Sequence, residues 1–486
     1  MFISLKLTWW TKLSNNISWG FRLWFAWVAG LTFVYLFFGH AVVHPVDARN
    51  GMPVDWMHLE YPAWGAIVEP LAAPGHILIN SLDFHDAAIS MLVWVAGLAA
   101  LFVWWQTRRL RSVVMALLFV TSMCLLYIAF MLLAPLPSWR LAVDRPGMII
   151  ADLHSHTYRS HDGLISLDGN LLRHQRHGYD VVAITEHANH ETQYLFDDVL
   201  VNDRPGYPAV LAGVEVTDDR RQHLLAIGLK PGIAIDNTMT NKEQVQRWVD
   251  EVHNVHHGVV IALNLGRNSA DIENLLTVGV DGIEVANAGH PKMSRSVRRT
   301  LLQANASGIP LVASSDFHGL GNYWYAWTVV RQQNDATAPA ATVLAALRDH
   351  RASDIVPVSA HPMGAMSFRD IVAAPMTGIL HYARELSPAR LMGWWGWLLI
   401  LWLMAAVLQR RFLRPGLVFA ASVAVYMGGV LLYQGASVLL LPLMQGLVVG
   451  DYLYRIVAIS MTTGCGALVL AWLLLSRAGK GKVTVF

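Results

Sequence analysis

The sequence predicts a multi-pass α-helical membrane protein, with six transmembrane helices in a 3+3 arrangement and an α/β barrel inserted between the third and fourth. Three observations carry this. The 486 residues are 54% hydrophobic and only 14% charged, with a mean hydropathy of +0.39, well short of the roughly 25% charge of soluble domains. Six apolar runs, at residues 24–43, 87–105, 113–136, 392–408, 415–432 and 456–475, approach or reach the roughly 20 residues that span a hydrocarbon core at 1.5 Å of rise each. Between runs three and four lies a polar stretch, 144–360, with 25 Asp and Glu against 18 Lys and Arg, whereas the rest of the chain holds 9 against 18. The chain therefore divides into 1–136 (three helices with an outer loop at 45–86), 144–360 (the barrel), 361–390 (an interfacial amphipathic segment) and 391–486 (three helices and a short tail).

Basic residues orient the spans. Lys6, Lys12 and Arg22 precede span one; Arg108, Arg109 and Arg111 join spans two and three. Arg410, Arg411 and Arg414 join spans four and five, and Arg477, Lys480 and Lys482 follow span six. With these segments cytoplasmic, both termini lie inside and residues 137–390 lie outside, in a periplasmic or other extracytoplasmic space. Only Trp248, Trp324 and Trp327 of the 19 tryptophans fall in the polar stretch; many of the others flank spans as an aromatic belt. The first span reads as a retained anchor, because its apolar run is long and no small-residue cleavage site follows. No span carries a central charge, which disfavours transport and leaves the spans as scaffold or as a groove for a lipid-linked substrate. The basic excess lies outside the polar stretch, which disfavours a nucleic-acid partner. Cys124 and Cys465 both fall in apolar runs, so a metal would be held by His and carboxylates.

Within the polar stretch, Val- and Ile-rich runs at 148–153, 181–185, 210–216, 223–229, 259–263, 282–286 and 311–314 alternate with helical segments. Seven buried strands so spaced predict a parallel α/β barrel, whose site gathers at the strands' carboxyl ends. Strand one runs into Asp152-Leu-His154-Ser-His156, strand two into Thr185-Glu186-His187, and strand three contains Gly213-Val-Glu215. Strand four begins at His223, strand five ends at Asn264, strand six contains Glu284, and strand seven runs into Asp316-Phe-His318. An i, i+2 pair on an extended end points to one side and can share an ion. Asp162, in the turn Ser160-His161-Asp162-Gly163, can fold back to the mouth. A sulfur-free set suits Zn²⁺, Mn²⁺ or Fe²⁺, and its surplus over four ligands implies two or three divalent ions.

These motifs in this order, over residues 150–318, resemble the PHP (polymerase and histidinol phosphatase) metallo-hydrolase family. The resemblance implies a distorted (βα)7 barrel with up to three metals, used mostly for phosphoester hydrolysis. It implies that His154, His156, Glu215 and Asp316 hold the first ion, that Glu215 bridges to a second with His223, and that Asp162, His187 and His318 hold a third. The family has a His-Pro pair after strand five where this chain reads Asn264-Leu265. An amide oxygen is a weaker ligand, so the second ion is loose, absent or completed by His290; the alternative is that His290 merely ends a loop.

The expected function is a membrane-anchored phosphoesterase acting outside the cytoplasm on a phosphorylated small molecule or a lipid-linked phosphate, through water activated at the ions. Arg267 could grip a phosphate oxygen or lie as a solvated surface arginine, His161 could protonate the leaving group or simply occupy the turn, and Glu186 could orient a ligand His from behind. The alternatives are a non-catalytic metal or ligand sensor, which Asn264 favours, and a metal-dependent amidohydrolase. The histidines at 174, 177, 253, 256 and 257 read as solvent-facing, and the His40/His44 pair reads as interfacial packing. Together with the segment at 368–385, read as an amphipathic surface helix interrupted by Pro375, the 45–86 loop could dock the barrel on the membrane.

Overall fold

The computed structural model describes residues 19–479 except 40, 80–83, 134–135, 188–192, 195–205, 218–222, 232–234, 237–241, 264–268, 288–294, 320, 322–325, 334–336, 361–366, 409–420, 422–423, 434, 437 and 439–450. Its strands are β1 (Val46–Asp47), β2 (Met57–Glu60), β3 (Arg140–Val143), β4 (Met148–Asp152), β5 (Val181–His187), β6 (Gln193–Tyr194), β7 (Ala209–Thr217), β8 (His223–Ile227), β9 (Ile235–Asp236), β10 (Val259–Leu263), β11 (Gly282–Ala286), β12 (Leu311–Ala313), β13 (Ala326–Arg331) and β14 (Ile355–Ser359). The helices are α1 (Trp19–Phe38), α2 (Gly65–Ile79), α3 (Phe84–Thr107), α4 (Leu110–Leu133), α5 (Leu167–Arg176), α6 (Lys242–Glu251), α7 (Ser269–Thr277), α8 (Arg295–Ala306), α9 (Pro339–Arg348), α10 (Phe368–Glu385), α11 (Pro388–Leu408), α12 (Ala424–Tyr433) and α13 (Asp451–Gly479).

Ten strands form one sheet in the order β1-β14-β13-β4-β5-β7-β8-β10-β11-β12. The sheet curls until the chain beyond β12 meets the chain beyond β4. Asp316 N–H donates to the His154 carbonyl at 2.9 Å, His156 N–H donates to the Phe317 carbonyl at 2.8 Å, and Ser155 and Phe317 form a parallel bridge. All seven expected strands are present, but the expected all-parallel order is corrected at β8, which runs antiparallel to both β7 and β10. Only residues 218–222 separate β7 from β8, enough for a hairpin and too few for a crossover. The reversal has a consequence for the site. Thr217 pairs with His223, so the first residue of β8 stands at the same rim as the last residues of its neighbours.

Alternation along the strands separates two cores. Leu211, Val181, Ala183, Leu225, Ile227, Ile261, Leu263 and Val312 point inward and pack with α9 residues Val343, Ala346 and Leu347. Ala212, Val214, Val182, Ile184, Val260, Ala262, Ile283 and Val285 point outward to the surrounding helices. Glu215 shares the inward parity of Leu211, and Glu284 alternates with outward Ile283 and Val285, which puts both carboxylates inside the rim. Part of the expected outer loop joins the sheet: β1 pairs antiparallel with β14.

The expectation of six spans is corrected to three candidates among the described residues: Ala88–Thr107, Leu110–Ile128 and Arg455–Leu473. The first expected span is displaced rather than lost: α1 starts at Trp19 and ends at Phe38, where Gly39 takes a positive φ of 72°, a helix-terminating conformation suited to glycine. The helix itself runs Trp19–Phe38, 20 residues, and beyond it Ala41 N–H turns aside to the Arg384 carbonyl at 2.9 Å. The fourth falls in α11, which buries Leu391, Trp394 and Leu398 against Val28, Leu31 and Ala73 of α1 and α2. The fifth lies partly outside the described residues, leaving the apolar helix Ala424–Tyr433. Helix α10 forms as the pattern at 368–385 suggests, started by a capping box in which Ser367 and Asp370 satisfy each other's backbone N–H. Of the paired histidines, His40 lies outside the described residues, and His44 Nδ1 donates to the Met57 carbonyl at 2.9 Å.

Candidate metal centre

The rim collects its side chains from five separate strand ends and one turn. His154 and His156 follow β4, His187 ends β5, Glu215 lies near the end of β7, His223 opens β8, and Asp316 and His318 follow β12. Asp162 arrives on the turn after His156. Gly163 makes that turn possible: a Cβ at this position would overlap the Thr157 carbonyl, so only glycine lets the backbone fold this tightly. Asp316 adopts φ +50°, an uncommon left-handed conformation for a non-glycine residue and one that concentrates at functional sites.

The geometry is that of a cage. His154 Nε2 lies 3.0 Å from Glu215 Oε2 and 3.2 Å from Asp316 Oδ1; His156 Nε2 lies 3.3 and 3.5 Å from the same two oxygens. Glu215 reaches His223 Nδ1 at 2.6 Å through its other oxygen and His187 Nδ1 at 3.4 Å. Asp162 Oδ2 lies 3.4 Å from both His187 Nε2 and His318 Nε2. Among the described residues, three groupings have ligand atoms within 4.8 Å of one another: His154, His156 and Asp316; His156, His187 and His318; and His161, Asp162 and His187. The eight expected ligands His154, His156, Asp162, His187, Glu215, His223, Asp316 and His318 thus converge, while Asn264, Arg267 and His290 lie outside the described residues.

Hydrogen bonds behind the cage aim the imidazoles. A carbonyl only accepts, so His318 Nδ1 donates to the Asp316 carbonyl at 2.9 Å, leaving Nε2 for the centre. His154 Nδ1 donates to Glu284 Oε2 at 3.1 Å. His156 Nδ1 donates to Ser160 Oγ at 3.1 Å, and that hydroxyl donates to Glu186 at 2.5 Å. Glu186 also accepts from the Thr157 N–H and hydroxyl. The expectation that Glu186 orients a histidine from behind therefore has a geometric route through Ser160. Asp152 accepts from the His154 N–H, the Ser315 N–H and hydroxyl, and His174 Nε2, which binds the two closing chain segments together.

Charge and unsatisfied valence both fit cations. Burial by itself would depress His154, but Asp316, Glu284 and Glu215 hold it well above the ordinary imidazole range. Burial opposes ionisation of Asp162, Glu215 and Asp316, yet their histidine neighbours hold all three below the usual carboxylate range. His318, against the pull of burial, is raised to about 9 by Asp162 and Asp316. The carboxylates thus favour a proton on His154 and His318 as counter-charge, a role a divalent ion would take over on binding. His156 Nε2 and Asp162 Oδ1 are buried without any hydrogen-bond partner. Buried polar atoms are otherwise almost always paired, so the orphaned His156 Nε2, which faces the Glu215 and Asp316 oxygens, fits a metal.

His161 stands at the edge, its side chain 57% exposed, with Nε2 3.8 Å from Asp162 Oδ2. Sequence reasoning left Glu284 without a role; its signal was a lone acid within the apolar run Gly282–Ala286. The solvent-facing reading of several histidines is corrected. His174 and His256 are fully buried and His177 nearly so, His177 Nδ1 donates to the Trp139 carbonyl at 2.9 Å, and half-buried His253 Nε2 bonds Asp281 at 2.7 Å. Only His257 of the five is exposed.

No family model matches the chain, and no curated protein matches it. Among solved structures it is similar to PsfC from Pseudomonas syringae, with 14% identity and a TM-score of 0.32, over 48% of this chain and 98% of that one. It is similar to a lesion-specific endonuclease from Pyrococcus furiosus at 13% identity and TM-score 0.30, over 42% and 56%. It is similar to an amidohydrolase from Chromobacterium violaceum at 17% identity and TM-score 0.22, over 35% and 87%. These likenesses are too slight to carry a function.

Proposed function

We propose that this chain is a membrane-anchored, metal-dependent phosphoesterase whose barrel works on the extracytoplasmic side, with two or three divalent ions of Zn²⁺, Mn²⁺ or Fe²⁺ in its rim. The observation that carries the reading is the convergence of eight His and carboxylate side chains, among them His156, whose buried Nε2 has no hydrogen-bond partner. The resemblance of the rim motifs to the PHP family supplies the phosphoester bond. Bound divalent ions polarise phosphoryl oxygens and lower the pKa of water from 15.7 to roughly 7.

The chain's own groups do the rest. Glu215, within reach of His154, His156, His187 and His223, joins the parts of the cage into one unit. Glu284, Ser160 and the Asp316 carbonyl hold three imidazoles in the tautomer whose free nitrogen points inward. Exposed His161, beside the Asp162 pair, is placed to give a proton to the departing oxygen, and Arg267 would take a non-bridging phosphate oxygen.

The test is turnover by the purified full chain, with each metal added in turn, of phosphomonoesters, phosphodiesters and amides. Phosphate or phosphoester release that a chelator abolishes and the metal restores is expected. Amide cleavage alone, or no turnover with full metal occupancy, would overturn the reading.

A further inference from the structure

The turn that carries Asp162 does not end in solvent. Leu164, two residues on, is 5% exposed and packs with Val438 and Val457, with partly buried Ile456 beside them. Val457 belongs to α13, whose apolar span starts at Arg455; two residues at 1.5 Å each place it about 3 Å along the axis from that arginine. An arginine at the end of an apolar helix marks the membrane–water boundary, where its head reaches the interface. The contact therefore sits at the lip of a span.

The same turn is tied to the candidate metal cage. Leu164 N–H donates to the His318 carbonyl at 2.7 Å, and Gly319, at φ +86°, lies so close to Leu164 and Ile165 that a Cβ would press on both. Leu164 thus touches the bundle while its neighbours Asp162 and His318 face each other at 3.4 Å. A rim built this way holds its polar, cation-binding groups within a few residues of a buried apolar contact with the span.

We propose that the rim opens at the membrane surface and that its substrate is a phosphate-headed amphiphile, whose chain stays in the bilayer while the head enters the cage. This rests on the phosphoesterase reading and names its substrate class. A water-soluble ester gains nothing from a rim tied to the lip of a span, whereas a substrate with its acyl chain in the bilayer reaches such a rim while exposing little of that chain to water. The reaction is hydrolysis: water adds its oxygen to phosphorus, the bond from phosphorus to the lipid oxygen breaks, and a water proton ends on the released lipid alcohol.

Two measurements on the full chain test this. The first places a fluorophore at His161→Cys, with Cys124 and Cys465 replaced by Ser, in nanodiscs of phosphatidylcholine and phosphatidylglycerol. Lipids brominated near the headgroup should quench it at least twofold, and aqueous iodide should have little effect; the reverse would overturn the membrane placement whatever the chemistry. The second compares metal-loaded protein on phosphatidic acid in phosphatidylcholine vesicles with glycerol 3-phosphate in water. A kcat/KM at least tenfold higher for the lipid is expected. Preference for the soluble ester would overturn the lipid source while sparing the phosphoesterase reading, and turnover of neither would overturn both.

Discussion

Glu284 offers a graded test of how the cage is held. Its Oε2 accepts from His154 Nδ1 at 3.1 Å and its Oε1 accepts from Asn287 Nδ2 at 2.8 Å, so a buried carboxylate fixes the ring whose Nε2 faces Glu215 and Asp316. In Glu284→Gln one oxygen remains. If Asn287 turns its amide to accept from the new NH₂, the glutamine oxygen still receives the His154 proton, but from a neutral group that makes Nε2 less basic. The loss should lie near the lower end of the 10- to 100-fold range for such supporting groups, about 1.4 kcal/mol. Glu284→Leu leaves His154 Nδ1 without an acceptor and should approach the upper end, about 2.8 kcal/mol. Chelator competition at pH 7.5 measures both affinities, and thermal unfolding of the metal-free proteins separates ligand orientation from collapse of the fold. Wild-type affinity in both variants, with unfolding temperatures unchanged, would refute the role of Glu284 in aiming His154.

Other consequences are equally direct. Gly163→Ala forces the Asp162 turn off the Thr157 carbonyl; because a misplacement of about 1 Å can cost about 10²-fold in rate, activity should fall by that order with the barrel still folded by circular dichroism. Asn264→His restores an imidazole at the end of β10 and should raise the metal content seen by elemental analysis; equal content in both proteins would count against a missing ligand there. Burial, assisted by Arg173, His174 and Arg176, pushes His177 down to about 3 despite its bond to the Trp139 carbonyl. Its unfolded form takes up a proton near 6.5, so the unfolded state binds more protons between these values and stability must decline as pH falls from about 6.5 toward 3. His177→Gln should flatten that part of the melting-temperature profile; an unchanged slope would assign acid sensitivity elsewhere.

Much of the barrel was legible because buried strands leave Val- and Ile-rich runs, and because a barrel that gathers ligands at one rim must place them where those runs end. Strand direction was not legible. A buried run reads the same either way, and only the five-residue gap before His223 betrayed the reversal of β8. His174 was misjudged for a related reason: its charge type suggested solvent, although Asn170, Leu171 and His174 form one buried face of α5. The fixed i, i+4 spacing of Asn170 and His174 was the available signal, and the partner that justifies burial, Asp152, is distant in sequence. The end of the first span was misplaced at Gly39, where hydropathy continues but the helix does not.

The central claim, that these strand ends form a cage for cations, is tested most directly by the metal content of the purified full chain, measured by elemental analysis beside the His154→Ala/His156→Ala double variant. Two or three divalent ions per wild-type chain, with at least one lost in the variant while the fold persists, is the predicted result. A folded wild-type protein that takes up no stoichiometric metal from Zn²⁺, Mn²⁺ or Fe²⁺, or a variant that retains the full complement, would contradict it.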